Sequence, residues 1–323
     1  MKAAVLHAFG QSPRYEDFPV PEPAEGEELV QVTAAPLNNI DRVRADGSHY
    51  SVQDAGAGAG LPAVTGVIGT GRLASGQRVL FGSRTGTMAE YSAVNQQATF
   101  PIPDDVDDAS AAAVWNPGLS AWLTFAWRQK IEPGQSVLIL GATGVTGKLA
   151  VQLARYFGAG RVIAAGRNQA VLDQLPALGA DAAIQLGQPD EQVAGAFAAQ
   201  AGEHGYDVVV DYLWGRPTEI LIGAIGHHDI ELRTERTRLV QVGEMAGPAI
   251  SLPAAVLRST GLEIVGLGTG AMAPMEVILA GLRELLDLVG AGKLRVDVDR
   301  VPLASVGEVW TRDQAGRRPV FIP

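Results

Sequence analysis

The chain contains no cysteine among its 323 residues. Disulfides are therefore excluded, and so is every zinc site built on thiolates. Histidine is scarce as well, with five in all. The one suggestive pair, His227-His228, lies in the polar stretch "GHHDIELRTERT", and adjacent residues rarely chelate one ion from the same side; no metal site is expected. Charge is sparse and one-sided: Asp, Glu, Lys and Arg make up 19% of the chain, and the formal net charge at pH 7 is −10. A nucleic-acid surface needs clustered Lys and Arg, whereas the densest basic spot here, "GRR" at 316–318, reads as a solvated turn, so no nucleic-acid partner is expected. Long apolar runs are missing too. Nowhere do 18 apolar residues follow one another, which argues against a membrane span, and the apolar start of "MKAAVLHAFGQSPRYEDF" is too short for a signal peptide. The expected address is cytoplasmic.

What the chain has is alanine, glycine and aliphatic residues. Hydrophobic residues reach 47% and aromatics only 6%, a balance that suits tightly packed α/β layers. The length favours two domains over one. Short runs rich in Val, Leu and Ala open the chain ("MKAAVLHAF", "ELVQVTAAPL"), separated by the proline- and acid-rich "FPVPEPAEGEE". "GTGRLASGQRVLFG" reads as strand, glycine turn and strand, and "MAEYSAV" as one more. Together they predict a small, barrel-like β domain. The stretch 54–66, "DAGAGAGLPAVTG", reads as a loop.

From residue 107 the pattern turns helical. Asp107 or Asp108 is placed to cap a helix, Asn116-Pro117-Gly118 is expected to break it, and Ser120 to open the next. Strands and helices then alternate: "SVLILGA", "RVIAAG", "AAIQL", "YDVVVDYL", "RLVQVGE" and "LEIVGLG" are strands, with helical patterns such as "TGKLAVQLARYF" and "QAVLDQLPAL" between the early ones. Continuous apolar strands are covered on both faces, as in a parallel sheet. The helix "MEVILAGLRELLDLVGAG" follows, and a β-like tail, "VDVDRVPL" and "RPVFIP", has the character of the first domain.

The segment "VLILGATGVTGKLAVQLARYF" (137–157) carries the chemistry. Gly141, Gly144 and Gly147 sit between a strong strand and an amphipathic helix. One glycine permits the tight turn, one lets a diphosphate approach the backbone, and one lets helix and strand pack closely. The free N–H groups of the helix start, at Val145 and Thr146 with Thr143 and Gly147 beside them, face the phosphates. The end of the second strand sets the coenzyme variant. NAD binders place an acid about 20 residues on. This chain has Gly166, Arg167 and Asn168 there, with no acid before Asp173. A guanidinium pairs with a 2′-phosphate where a carboxylate would repel it, so NADPH is favoured over NADH.

With these residues in place, the chain resembles the medium-chain dehydrogenase/reductase superfamily, in its zinc-free quinone oxidoreductase (zeta-crystallin-like) branch. The resemblance runs over essentially the whole length, through "LNNID" (37–41), "GQRVLFG" (76–82), "GTMAEYSAV" (86–94), "NPGLSAW" (116–122), the glycine turn, "YDVVVDYLWG" (206–215), "RLVQVGE" (238–244) and "LASVGEVW" (303–310). It implies a GroES-like β-rich catalytic domain over 1–115 and 266–323 and a Rossmann doubly wound parallel-sheet domain over 116–265, the coenzyme lying in the cleft between domains. It also implies NADPH-dependent hydride transfer to a quinone or an α,β-unsaturated carbonyl, and a homodimer formed through "LEIVGLG" (262–268) as an edge strand.

Carried over residue by residue, the resemblance matches Asn38 to an asparagine near nicotinamide and substrate, and Asp41 to a structural acid. Ser120 matches a small hydroxyl residue that meets the nicotinamide amide, and Gly243 and Glu244 a loop beside the nicotinamide ribose. The branch's tyrosine two residues beyond the acid is replaced by Val43, and an acid in the segment "TGVIGTG" by Ile68. Tyr50 and His49, in "GSHY", are further candidates for the group that meets the carbonyl oxygen. Asp211 either touches the coenzyme or caps a turn, while Trp115 and Trp214 read as packing. A short-chain reductase is disfavoured because the glycine motif starts only at residue 141 and none of the six tyrosines has a lysine four positions on. Two alternatives stay open: a non-catalytic NADPH sensor or scaffold, and a pathway-specific enoyl reductase.

Overall fold

The computed structural model describes residues 1–48, 60–201, 205–226, 236–268 and 273–323. The chain is α/β and divides into two compact units, residues 1–116 with 284–323, and residues 117–283.

The first unit is β-rich. A small antiparallel sheet joins β1 (Lys2–Leu6), β2 (Arg14–Asp17) and β4 (Ala63–Val64), with β1 in the middle. A larger sheet centres on the long β3 (Glu27–Pro36). On one side of β3 lie β5 (Ile68–Arg72), β6 (Arg78–Gly82) and β8 (Thr99–Pro101), and β7 (Tyr91–Asn95) also pairs with β3. The glycine turn expected inside "GTGRLASGQRVLFG" is the hairpin between β5 and β6. The tail supplies β15 (Val298–Pro302) and β16 (Arg318–Ile322), and β16 pairs antiparallel with β3. Helix α1 (Asn39–Ala45) sits just after β3. Ala4, Leu37, Met88, Trp310 and Phe321 form the centre of this unit's core.

The second unit is a six-stranded, all-parallel sheet. Its strands are β9 (Ser136–Leu140), β10 (Arg161–Gly166), β11 (Ala182–Gln185), β12 (Val208–Asp211), β13 (Arg238–Gln241) and β14 (Glu263–Gly266). Their spatial order is β11-β10-β9-β12-β13-β14, so the winding reverses between β9 and β12. That reversal is the crevice where doubly wound sheets bind ligands, outside the carboxyl ends of the strands. Val137, Leu138, Ile139 and Leu140 are wholly buried because helices cover both faces of β9.

Three expectations need correction. Helix α2 runs unbroken from Asp108 to Leu123 with Pro117 inside it, and a π-turn, Thr124–Arg128, follows. An interior proline costs a helix about 3 kcal/mol. Here Ala111, Ala112, Ala113 and Ala121 are fully buried, and that packing holds the helix together. Asp107 is the residue that caps α2, its carboxylate accepting the backbone N–H groups of Ala109 and Ser110. The helix expected in "QAVLDQLPAL" is only a single turn before Pro176 converts the chain to a 3₁₀ segment, Leu175–Leu178. The chain rejoins the first unit at residue 284 rather than 266, because a long helix, Met275–Gly290, lies across the transition.

Candidate functional site

The glycine turn occupies the carboxyl end of β9, at the reversal point of the sheet. Gly141 has φ +87°, a conformation that side-chain-bearing residues resist. Its N–H and that of Ala142 both donate to the Ala165 carbonyl at 2.9 Å, tying the turn to β10. Helix α3 (Val145–Tyr156) then begins, with Gly144 at its N-cap and no side chain closing the end. The N–H groups of Val145, Thr146 and Gly147 have no acceptor within the helix, and the dipole favours an anion there. A Cβ on Gly147 would lie 2.5 Å from the Ala142 Cα, so only glycine allows the helix to come this close to the strand end. Gly144 is exposed, and a Cβ there would meet nothing nearer than 3.5 Å. Thr143 lies over the end of β10, since a Cβ on Gly166 would sit 2.4 Å from its methyl group.

Arg167 follows Gly166 and is exposed. Its carbonyl accepts the Gln185 amide at 2.9 Å, while its guanidinium pairs with nothing among the described residues. Asn168 caps a one-turn helix, α4 (Gln169–Leu172), by accepting the Val171 N–H at 3.3 Å.

Asp211 closes β12 and is fully buried. One carboxylate oxygen accepts the Leu213 and Trp214 N–H groups, both at 2.8 Å, and the other accepts the Thr218 hydroxyl at 2.6 Å. Burial raises its pKa, against the opposing hydrogen bond from Thr218 and those from the two backbone groups. With both oxygens engaged, Asp211 caps the turn. The turn it holds is strained: Trp214 has φ +56° and Gly215, the first residue of helix α5 (Gly215–Ile225), has φ +58°. A Cβ on Gly243 would lie 2.7 Å from the Tyr212 carbonyl, so the ends of β12 and β13 lie against one another. Glu244 is exposed beside them. Ser120, in α2, is half-buried, and its carbonyl accepts the Thr124 hydroxyl at 2.9 Å.

The first unit holds a separate buried polar cluster around "LNNID". Asn38 is 0% exposed and stands at the N-cap of α1, its side chain and that of Asp41 forming a reciprocal capping box with each other's backbone. Asp41 accepts the Asn38 N–H at 2.7 Å and the Val67 N–H at 3.0 Å, a structural role. Burial pushes its carboxyl up to about 6, opposed by those two N–H groups and by the Arg318 charge. Arg318 is itself buried, donates to the Leu37 carbonyl at 2.6 Å, and is drawn down to about 10 by desolvation.

Gly141, Thr143, Gly144, Val145, Thr146, Gly147, Gly166 and Arg167 thus gather at one edge of the second unit, with Gly243 and Glu244 at the end of β13. Tyr50, His49 and His227-His228 lie outside the described residues, as do residues 54–59 of the expected loop. Ile68 is a core residue of β5. The sequence reasoning did not single out Tyr212, a buried residue directly after β12. Among the described residues no helix is long and apolar enough to cross a membrane.

A family model described as zinc-binding dehydrogenase matches residues 145–284. A relative from Emericella nidulans, named a probable NADPH-dependent quinone reductase, is 26% identical over the full length of both chains. A type I polyketide synthase of phenolphthiocerol synthesis from Mycobacterium bovis is 32% identical over 81% of this chain, which spans only 12% of that much longer protein. The crystal structures of the quinone oxidoreductase from Thermus thermophilus and its complex with NADPH share 27% identity and a TM-score of 0.78, covering all of both chains.

Proposed function

The chain belongs to the medium-chain dehydrogenase/reductase superfamily, in its quinone oxidoreductase branch, and on that premise we propose that it transfers hydride from NADPH to a quinone or an α,β-unsaturated carbonyl without zinc. The glycine cradle at the reversal point of the parallel sheet carries this reading: a helix start left without a side-chain cap, held so close to the strand end that a Cβ on Gly147 has no room. The residues present fit the coenzyme. The N–H groups of Val145, Thr146 and Gly147 hold its diphosphate, and Arg167 its 2′-phosphate. Gly243 and Glu244 flank the nicotinamide ribose, and Ser120 meets the carboxamide. Asn168, already committed to capping α4, contributes the placement of Arg167.

When bound, NADPH supplies the hydride, and the protein orients the two rings and excludes water. The buried Asn38 amide donates to the substrate carbonyl oxygen as negative charge develops there, with solvent as the final proton source. Tyr50 is the second candidate donor to that oxygen. The absence of cysteine supports a zinc-independent reaction. We further propose a cytoplasmic homodimer joined through β14, the edge strand of the parallel sheet; sedimentation equilibrium returning twice 33.8 kDa tests the dimer.

The test of function is NADPH oxidation with 9,10-phenanthrenequinone, 1,4-benzoquinone and a short enone. Turnover is expected. Tight NADPH binding with no turnover across the panel would favour the sensor, and no binding of either coenzyme would overturn the reading entirely. The 32% identity to a stretch of a polyketide synthase supports a second reading, an enoyl reductase acting on acyl thioesters. A higher kcat/KM for a crotonyl thioester than for every quinone would select it.

A further inference from the structure

Arg318 opens β16, is 4% exposed, and stands in no salt bridge among the described residues. Taking a guanidinium out of water is costly unless its contacts are good ones. Its contact here is a backbone oxygen: Nη1 donates to the Leu37 carbonyl at 2.6 Å. The Leu37 carbonyl and the Asn38 N–H belong to one planar peptide group. At the far edge of that group the Asn38 N–H donates to Asp41 Oδ2 at 2.7 Å. A buried cation thus holds the oxygen of the 37–38 peptide, and a buried carboxylate holds its hydrogen. Each bond polarises the group in the sense that strengthens the other. Asp41 is itself fixed by the Val67 N–H at 3.0 Å. The Leu37 N–H donates to the Pro319 carbonyl at 2.9 Å, one step beyond the ladder in which Val320 faces Pro36 and Phe321 faces Ala35. At this point β3 leaves the sheet and α1 begins, with Asn38 as its N-cap. The tilt of the 37–38 plane sets the direction in which the Asn38 side chain leaves the backbone.

Resting on the reading of Asn38 above, we propose that Arg318 is a positioning residue for the reaction: through the Leu37–Asn38 peptide it fixes where the Asn38 amide meets the substrate carbonyl oxygen. Asn38 and Asp41 suffice to cap α1. Arg318 adds control of the peptide plane itself, and it does so from the last strand of the chain. A donor to a developing oxyanion acts only within a narrow range of distance, and a shift of about 1 Å can cost about 100-fold in rate. A peptide held at one edge can tilt; one held at both edges cannot.

The test is steady-state kinetics of the full-length protein with NADPH and the fastest acceptor of the panel above, below the melting temperature of every variant and per folded molecule. Arg318→Met keeps the buried stem and removes the donor. It is expected to lower kcat about 10–100-fold and to leave NADPH affinity, measured by calorimetry, within about twofold. Arg318→Lys keeps the charge on a less exact donor and should fall between Arg318→Met and wild type. The deciding measurement is a double-variant cycle with Asn38→Ser, which keeps an N-cap residue and removes the amide. In the Asn38→Ser background, either substitution at Arg318 should change kcat by less than about twofold. Should Arg318→Met fail to fold, Arg318→Lys carries the same cycle. Wild-type kcat in the Arg318 variants overturns the proposal. So does an equal fractional loss with and without the Asn38 amide, which would show a purely structural arginine. Wild-type kcat in Asn38→Ser removes the reading of Asn38, and no turnover by the wild-type protein removes the function; either result takes this inference with it.

Discussion

Gly147 stands against Gly141 so closely that a methyl carbon on it would come within 2.3 Å of the Gly141 carbonyl oxygen. Backbone cannot give way there as a flexible side chain would. Gly147→Ala should therefore cost about 1–3 kcal/mol of stability, the usual range for overpacking, and abolish NADPH binding. Gly144→Ala separates the two effects. Its new methyl meets only an ordinary contact at 3.5 Å, so the melting temperature should hold while NADPH affinity falls, because the methyl stands where a phosphate must approach. Equal stability losses in both variants would show that the turn is only structural.

Arg167 is the second test. Its guanidinium is exposed and unpaired among the described residues. Arg167→Ala should weaken NADPH about 10–100-fold, as expected for losing a charge-assisted contact, and change NADH by less than about twofold. The wild-type preference should shrink in high salt, since an exposed ion contact is screened. Calorimetry showing equal uptake of both coenzymes by the wild type would refute the selectivity.

Asp41 predicts a pH dependence. Burial places its folded pKa at about 6, above the ordinary 3.8. The folded protein therefore holds a proton that the unfolded chain has released between about pH 4 and pH 6, and stability falls as pH rises through that window. The change amounts to at most about 3 kcal/mol. Asp41→Asn should be less stable throughout, because an amide cannot accept both N–H groups. Its deficit relative to wild type should narrow from pH 4 to pH 6. Thermal melts that stay parallel across the range would count against the assignment.

Asp211→Ala should destabilise by about 2–4 kcal/mol, since two backbone N–H groups and the Thr218 hydroxyl lose their acceptor inside the protein. The fraction that remains folded should bind NADPH nearly as well as wild type. A selective loss of affinity with stability intact would return Asp211 to the coenzyme site.

The parallel sheet and its glycine turn were legible because their signals are local: unbroken apolar strands, three glycines at fixed spacing, and a change of period from strand to helix. Asp211 was half legible, its place at a strand end being readable but not the three donors that converge on it. Pro117 misled because its local penalty is visible in sequence and the burial of the surrounding alanines is not. Asn168 drew attention as a neighbour of Arg167, and its short-range preference for a helix cap is also met. The burial of Asn38 and of Tyr212 is a product of tertiary packing, and no periodicity encodes it.

The placement of β16 between β15 and β3 has a consequence for how the chain is made. Val320 and Phe321 fill the interior of a unit whose earlier part precedes the second unit along the chain, so that unit stays unfinished until β16 is delivered. The coenzyme-binding unit is drawn from one uninterrupted stretch and emerges whole beforehand. Its order of completion inverts its order of appearance, and a ribosome stalled short of β16 would carry a finished nucleotide fold attached to an open β-sheet.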